Sequence, residues 1–213
     1  MSRFLFEDNI FNRTMTKLFD LLALGIYVVV CSLPIITGGA AITAAYRVMM
    51  KMQKNHEGTI TGSFFREFKA NLKGSFGGWL VILGSITLLA FDLSVWTSSN
   101  SSIRSIIYGF TIVLFAMALS AADWYFSIRA TFEETSLSAI KNALSFSMVY
   151  LWQAVLIGIY DILMIYFISR SGYFIIHILI FGSMLLNYPK MIILNHCIDS
   201  YIEHKNIHAE AQR

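Results

Sequence analysis

The sequence predicts an all-α fold, a polytopic bundle of transmembrane helices, on three observations. Of its 213 residues, 56% are apolar and 14% charged, against about 45–50% and about 25% in an ordinary soluble domain. The apolar residues gather into windows close to the roughly 20 residues that a helix needs to cross the hydrocarbon core. The Lys and Arg fall mostly in alternate connecting segments, the asymmetry that orients membrane helices. Together these exclude a soluble enzyme, a nucleic-acid-binding domain and a disordered segment. The chain reads as a single integral membrane domain over 1–213, with the lipid bilayer as its main partner.

An amphipathic start comes first. Phe4, Phe11, Met15 and Leu18 recur at helical spacing, which predicts an interfacial helix over 3–16. No apolar core followed by a small-residue cleavage site appears there, so no removable signal is expected. Spans are predicted at about 17–36, 40–54, 77–97, 103–128, 148–168 and 173–194. The second is short and carries Arg47, Lys51 and Lys54; an interfacial helix is the rival reading for it. Charge favours six crossings. With Gly38-Gly39 turning the chain at the outer face and both termini cytoplasmic, only Arg104 and Arg170 of the 16 Lys and Arg lie outside. Five crossings would add Arg3, Arg13 and Lys17 to that side.

Between the spans, Phe64, Phe65 and Phe68 alternate with Arg66, Lys69 and Lys73. They predict an amphipathic cytoplasmic helix over 61–73, suited to an anionic leaflet or a protein partner. A second cytoplasmic helix is expected after Ser136 as its cap, with Leu137, Ile140, Leu144 and Met148 in one stripe. From residue 195 onward the chain reads as a cytoplasmic tail.

Ionisable groups inside spans are costly, and so mark function or helix pairing. Asp92, Asp161 and His177 form an expected outer-half set, with Asp161–His177 the foremost pair. Asp123, Lys190 and Arg47 form an inner set. Pro34, Gly38 and Gly39 suit a break between antiparallel helices, and Asn187 with Pro189 suits a kink. Cys31 and Cys197 give no disulfide or zinc pattern. No phosphate loop, nucleophile elbow or metal motif occurs, so no catalytic residue, metal or cofactor is assigned and no enzyme is expected.

One region is more specific than its composition. Asp20-Leu21-Leu22, Ser32-Leu33-Pro34-Ile35-Ile36-Thr37-Gly38, Thr43-Ala44-Ala45-Tyr46 with Lys51, Glu57-Gly58, and Phe64-Phe65 with Phe68-Lys69 and Asn71 resemble the YesL-like family of bacterial integral membrane proteins, domain-of-unknown-function family number 624. The likeness covers about residues 9–73, and Gly39 stands where the family pattern suggests Pro or Ser. The resemblance implies a multi-pass protein of the bacterial plasma membrane. It also implies a setting beside ABC-type carbohydrate importers, whose permease subunits become candidate partners. The expected function is therefore a non-enzymatic accessory component of oligosaccharide uptake; the alternative is a small independent transporter or channel with a polar path through the bundle.

Overall fold

The computed structural model describes residues 10–54, 59–98, 103–132, 134–170 and 184–211. Among these, every regular element is helical: α1 (Ile10–Cys31), a 3-10 turn (Ile35–Thr37), α2 (Gly38–Gln53), α3 (Ile60–Asn71), α4 (Phe76–Ser98), α5 (Arg104–Thr131), α6 (Ser136–Val149), α7 (Leu151–Arg170) and α8 (Met184–Ala211). Three helices are long and apolar enough to cross a membrane, over Thr14–Cys31, Phe76–Thr97 and Arg104–Thr131. A fourth crossing is available if α6 and α7, bent by 102° at Tyr150, count as one broken span. Large apolar side chains face outward on these helices, Leu88, Ile106 and Trp152 each being more than 70% exposed. Such surface suits lipid or a protein partner rather than water.

The core lies around α2 and the second half of α5. Twelve of the sixteen α2 residues are buried, and every α5 residue from Ala122 to Ala130 is buried. A helix apolar on all sides belongs in the middle of a bundle, and α5 packs against α2, α4, α6, α7 and α8. Small residues make the close approaches. A Cβ on Gly158 of α7 would lie 2.6 Å from the Ala116 carbonyl oxygen of α5.

Several expectations change in three dimensions. Gly38 and Gly39 do not form the α1–α2 turn. Ser32 to Thr37 turn the chain, with the Thr37 hydroxyl donating to the carbonyls of Cys31 (2.6 Å) and Pro34 (2.8 Å). Gly38 already has right-handed helical φ and ψ. What the pair provides is space, because a Cβ on Gly39 would sit 2.5 Å from the Trp79 Cβ. The Trp79 indole N–H donates to the Ile35 carbonyl at 2.6 Å. This contact sets the α1–α2 turn beside the first turn of α4. The six-crossing layout expects residues 36–40 and residue 77 at opposite membrane faces, about 30 Å apart; in the fold Ile35 and Trp79 are in contact. At 16 residues, α2 is also only about 24 Å long.

Other corrections are local. Residues 10–16 continue directly into α1 instead of forming a separate interfacial helix. Thr135, not Ser136, caps α6, accepting from the Ser138 N–H, while the Ser136 hydroxyl donates to the Gly74 carbonyl. The expected tail from 195 is helix as far as Ala211, continuous with α8 through Pro189. Both cysteines are free.

Candidate functional site

Three charged side chains meet inside the bundle. The Lys190 ammonium on α8 donates to Asp123 Oδ2 on α5 at 2.7 Å and to Asp161 Oδ1 on α7 at 2.8 Å. On α2, the Tyr46 hydroxyl donates to Asp123 Oδ1. Four helices are thus joined at one point, and the three charged side chains are 8–14% exposed. The geometry follows from helix periodicity and from Pro189. Asp123 lies on the buried half of α5, and Lys190 follows a proline that removes one backbone donor from α8. Next to that proline, the Tyr160 hydroxyl on α7 donates to the Leu186 carbonyl at 2.5 Å. Two carboxylates and one ammonium carry an excess negative charge when all are ionised, softened by the tyrosine hydrogen bond.

The sequence grouped these residues differently. It placed Asp161 with His177 in an outer set; in the fold Asp161 shares Lys190 with Asp123, and His177 lies outside the described residues. Asp92 stays apart, accepting from Trp96 Nε1 at 3.2 Å and from the Thr111 hydroxyl at 2.7 Å. It joins α4 to α5. Arg47 does not enter the inner set: its Nη1 pairs with Glu67 Oε2 of α3 at 2.8 Å, while Lys51 Nζ takes Glu67 Oε1 at 2.8 Å.

Glu67 is the residue that sequence reasoning passed over. Its signal was its register: with Phe64 and Asn71 it occupies positions i, i+3 and i+7 of α3, and these three are the buried ones. Burial alone would raise its carboxyl; the hydrogen bonds and charges of Lys51 and Arg47 outweigh that and hold it below the usual carboxylate range. Consequently α3 is clamped on α2, with Phe64 fully buried against Tyr27 and Phe68. Phe64 is unavailable to a membrane or a partner, whereas Phe65, Arg66, Lys69 and Lys73 remain on the outer side.

A second junction ties the α3–α4 turn to the α5–α6 turn. Arg129, buried at the end of α5, donates to the Glu134 carbonyl, to Asn71 Oδ1 (3.4 Å) and to Ser75 Oγ (3.4 Å). Gly74 leaves room for its guanidinium. From this base α6 departs, and its amphipathicity is reversed from that of an ordinary surface helix. Ala139, Ala143 and Ser147 face inward, while Leu137, Leu144 and Met148 are exposed. Small inward residues let Phe146 and Trp124 approach to 5.4 Å between ring centres.

Among the described residues, no group of three or more His, Cys, Asp or Glu is placed to hold a metal ion. The class this defines is an all-helical protein with three or four helices fit to cross a membrane, knit by a buried ionic cluster. Residues 18–93 match the family model described as "Protein of unknown function, DUF624". Over that stretch the chain is similar to DUF624. It takes in the α1–α2 turn, Tyr46, the Glu67 clamp and Trp79, while Asp123, Asp161 and Lys190 lie beyond it. No curated protein and no solved structure matches the chain.

Proposed function

We propose that this chain is a non-enzymatic, multi-pass protein of the bacterial plasma membrane, acting as an accessory component of an ABC-type oligosaccharide importer. The YesL-like resemblance supplies the importer setting. The observation that carries the contact reading is α6: a rigidly based helix between two long helices, presenting Leu137, Leu144 and Met148 outward. An outward apolar stripe on a helix bent by 102° from α7 suits a groove in a neighbouring subunit. A photo-crosslinker at Leu144, in protein expressed at native level, should capture importer subunits. Capture of lipid alone would sink the reading.

The layout that goes with it keeps both termini cytoplasmic, with α4, α5 and α7 as crossings among the described residues. The α1–α2 pair then enters as a shallow hairpin from the inner side. Support for it comes from the Trp79–Ile35 hydrogen bond, because α4 begins at the inner face in either layout. Cysteines introduced at Leu33 and Ile36 should resist labelling from outside intact cells, while one at Ser101 should label. External labelling at Leu33 would restore the six-crossing layout.

An independent transporter is the second reading, favoured by Lys190 between two carboxylates at the meeting of α5, α7 and α8. Charged groups at such depth line substrate or proton pathways in other membrane proteins. Asp161→Asn in proteoliposomes should then abolish substrate flux with the fold intact. Unaltered flux would remove Asp161 from any such mechanism.

A further inference from the structure

The cytoplasm-facing end of α2 in this layout holds a charged cavity that neither functional reading uses. Arg47, Met50, Lys51 and Lys54, one face of α2 by their spacing, line it together with Ala130 and Thr131 of α5 and Asn195 of α8. Three cations thus converge where three helices meet. Their counter-charges fall short. Glu67 serves Arg47 and Lys51 at 2.8 Å each and has Arg66 at 3.8 Å, and Asp199 serves Lys54 at 2.7 Å. Among the described residues, the three lining cations therefore face two carboxylates, an excess of one positive charge, and Glu67 is shared further with Arg66 outside the cavity.

The donors have capacity left over. An ammonium offers three N–H donors and a guanidinium five, whereas Glu67 takes one hydrogen bond from each of Lys51 and Arg47. The lining also holds the Asn195 amide, which donates one of its two N–H groups to Gln53 Oε1 at 3.0 Å, whereas the Thr131 hydroxyl is committed to the Ser127 carbonyl at 2.9 Å. The cavity measures about 190 Å³, below the roughly 300–1,000 Å³ of sites that enclose a drug-sized ligand. A space of that size fits a single compact anion.

We propose that this cavity binds a phosphate group, and that its expected source is the headgroup of an anionic phospholipid. Guanidinium and ammonium groups converging from one helix face match phosphate oxygens. Basic pockets between helices at the cytoplasmic side of a bilayer hold such headgroups. The phosphate site stands on the cavity and its charges alone. Only its lipid source rests on the proposed membrane layout, and the test separates the two.

The full-length protein, purified in a neutral detergent, is titrated with short-chain phosphatidylglycerol, with phosphatidylcholine, and with glycerol 1-phosphate, and binding is read by native mass spectrometry. Phosphatidylglycerol should bind and phosphatidylcholine should not. Lys54→Gln should weaken binding about fivefold, one near-surface cationic contact. Asp199→Asn, which frees Lys54 from its carboxylate, should tighten it, an outcome that misfolding would not produce. Lys69→Gln with Lys73→Gln, on the outer face of α3, should leave affinity unchanged. Glycerol 1-phosphate binding as tightly as the lipid would keep the phosphate site but assign it to a soluble ligand. No binding by the wild type, or equal losses in the Lys54 and the Lys69/Lys73 variants, would overturn the site.

Discussion

Replacing Lys190 with Met is the sharpest test of what holds the bundle together. The ammonium it removes lies 2.7 Å from Asp123 and 2.8 Å from Asp161, with its side chain only 8% exposed. Met roughly preserves the volume, so the loss is electrostatic: two carboxylates remain buried beside each other with the cation between them gone. Removing one member of a buried ion pair costs about 3–5 kcal/mol. Two pairs share one ammonium here, so their losses do not add, and that figure applies to the variant as a whole. At about 2–4 °C per kcal/mol for a chain of this size, the midpoint should fall by about 6–20 °C. Tryptophan fluorescence during heating in detergent micelles reads it. The companion is the neutral triple variant Asp123→Asn, Asp161→Asn, Lys190→Met, which leaves no buried charge unpaired and should regain most of the loss, since whole buried ion networks are replaceable at little cost. A single variant as stable as the wild type, or a triple variant no better than the single, would refute this account of the cluster.

Tyr46→Phe removes the hydroxyl that donates to Asp123 and should cost about 1.5–3 kcal/mol, as for hydrogen bonds to charged groups, by the same thermal assay. Gly158→Ala should destabilise by about 1–3 kcal/mol, because its Cβ meets the Ala116 backbone oxygen at 2.6 Å; Gly84→Ala, with open space around it, should be neutral or up to about 1 kcal/mol stabilising. Glu67→Gln should lower stability at neutral pH by a margin that shrinks in acid. The wild-type carboxyl is held below its ordinary value, so its contribution is complete above the unfolded value of about 4.3 and is lost as pH falls through the folded one. Melting curves of both proteins from pH 7 to pH 3 would check this, and a margin constant across that range would sink it.

Much of the helical architecture was legible in residue order. Apolar runs near 20 residues mark α1, α4 and α5 because lipid and core alike demand satisfied backbones and apolar faces. The helix α3 itself was legible from its periodicity, but the aromatic stripe drew attention away from Glu67, which shares the buried register of Phe64 and Asn71. The sequence also singled out Asp123, Asp161 and Lys190 as ionisable groups in apolar surroundings, since such residues stand out against their neighbours whatever they contact.

Their partners were decided only by how the helices pack. Depth counted along a span could set Asp161 beside His177, yet α8 brings Lys190 between α5 and α7, and a 2.8 Å contact overrides any count of residues from a helix end. Gly38 and Gly39 carry the composition of a turn but serve as the flat surface for Trp79. The chain specifies by itself which segments avoid water, because hydrophobicity is a property of each side chain. Which helix meets which, and whether α1 and α2 cross or only dip, depends on shape and charge complementarity between distant segments, and that exists only once they are packed.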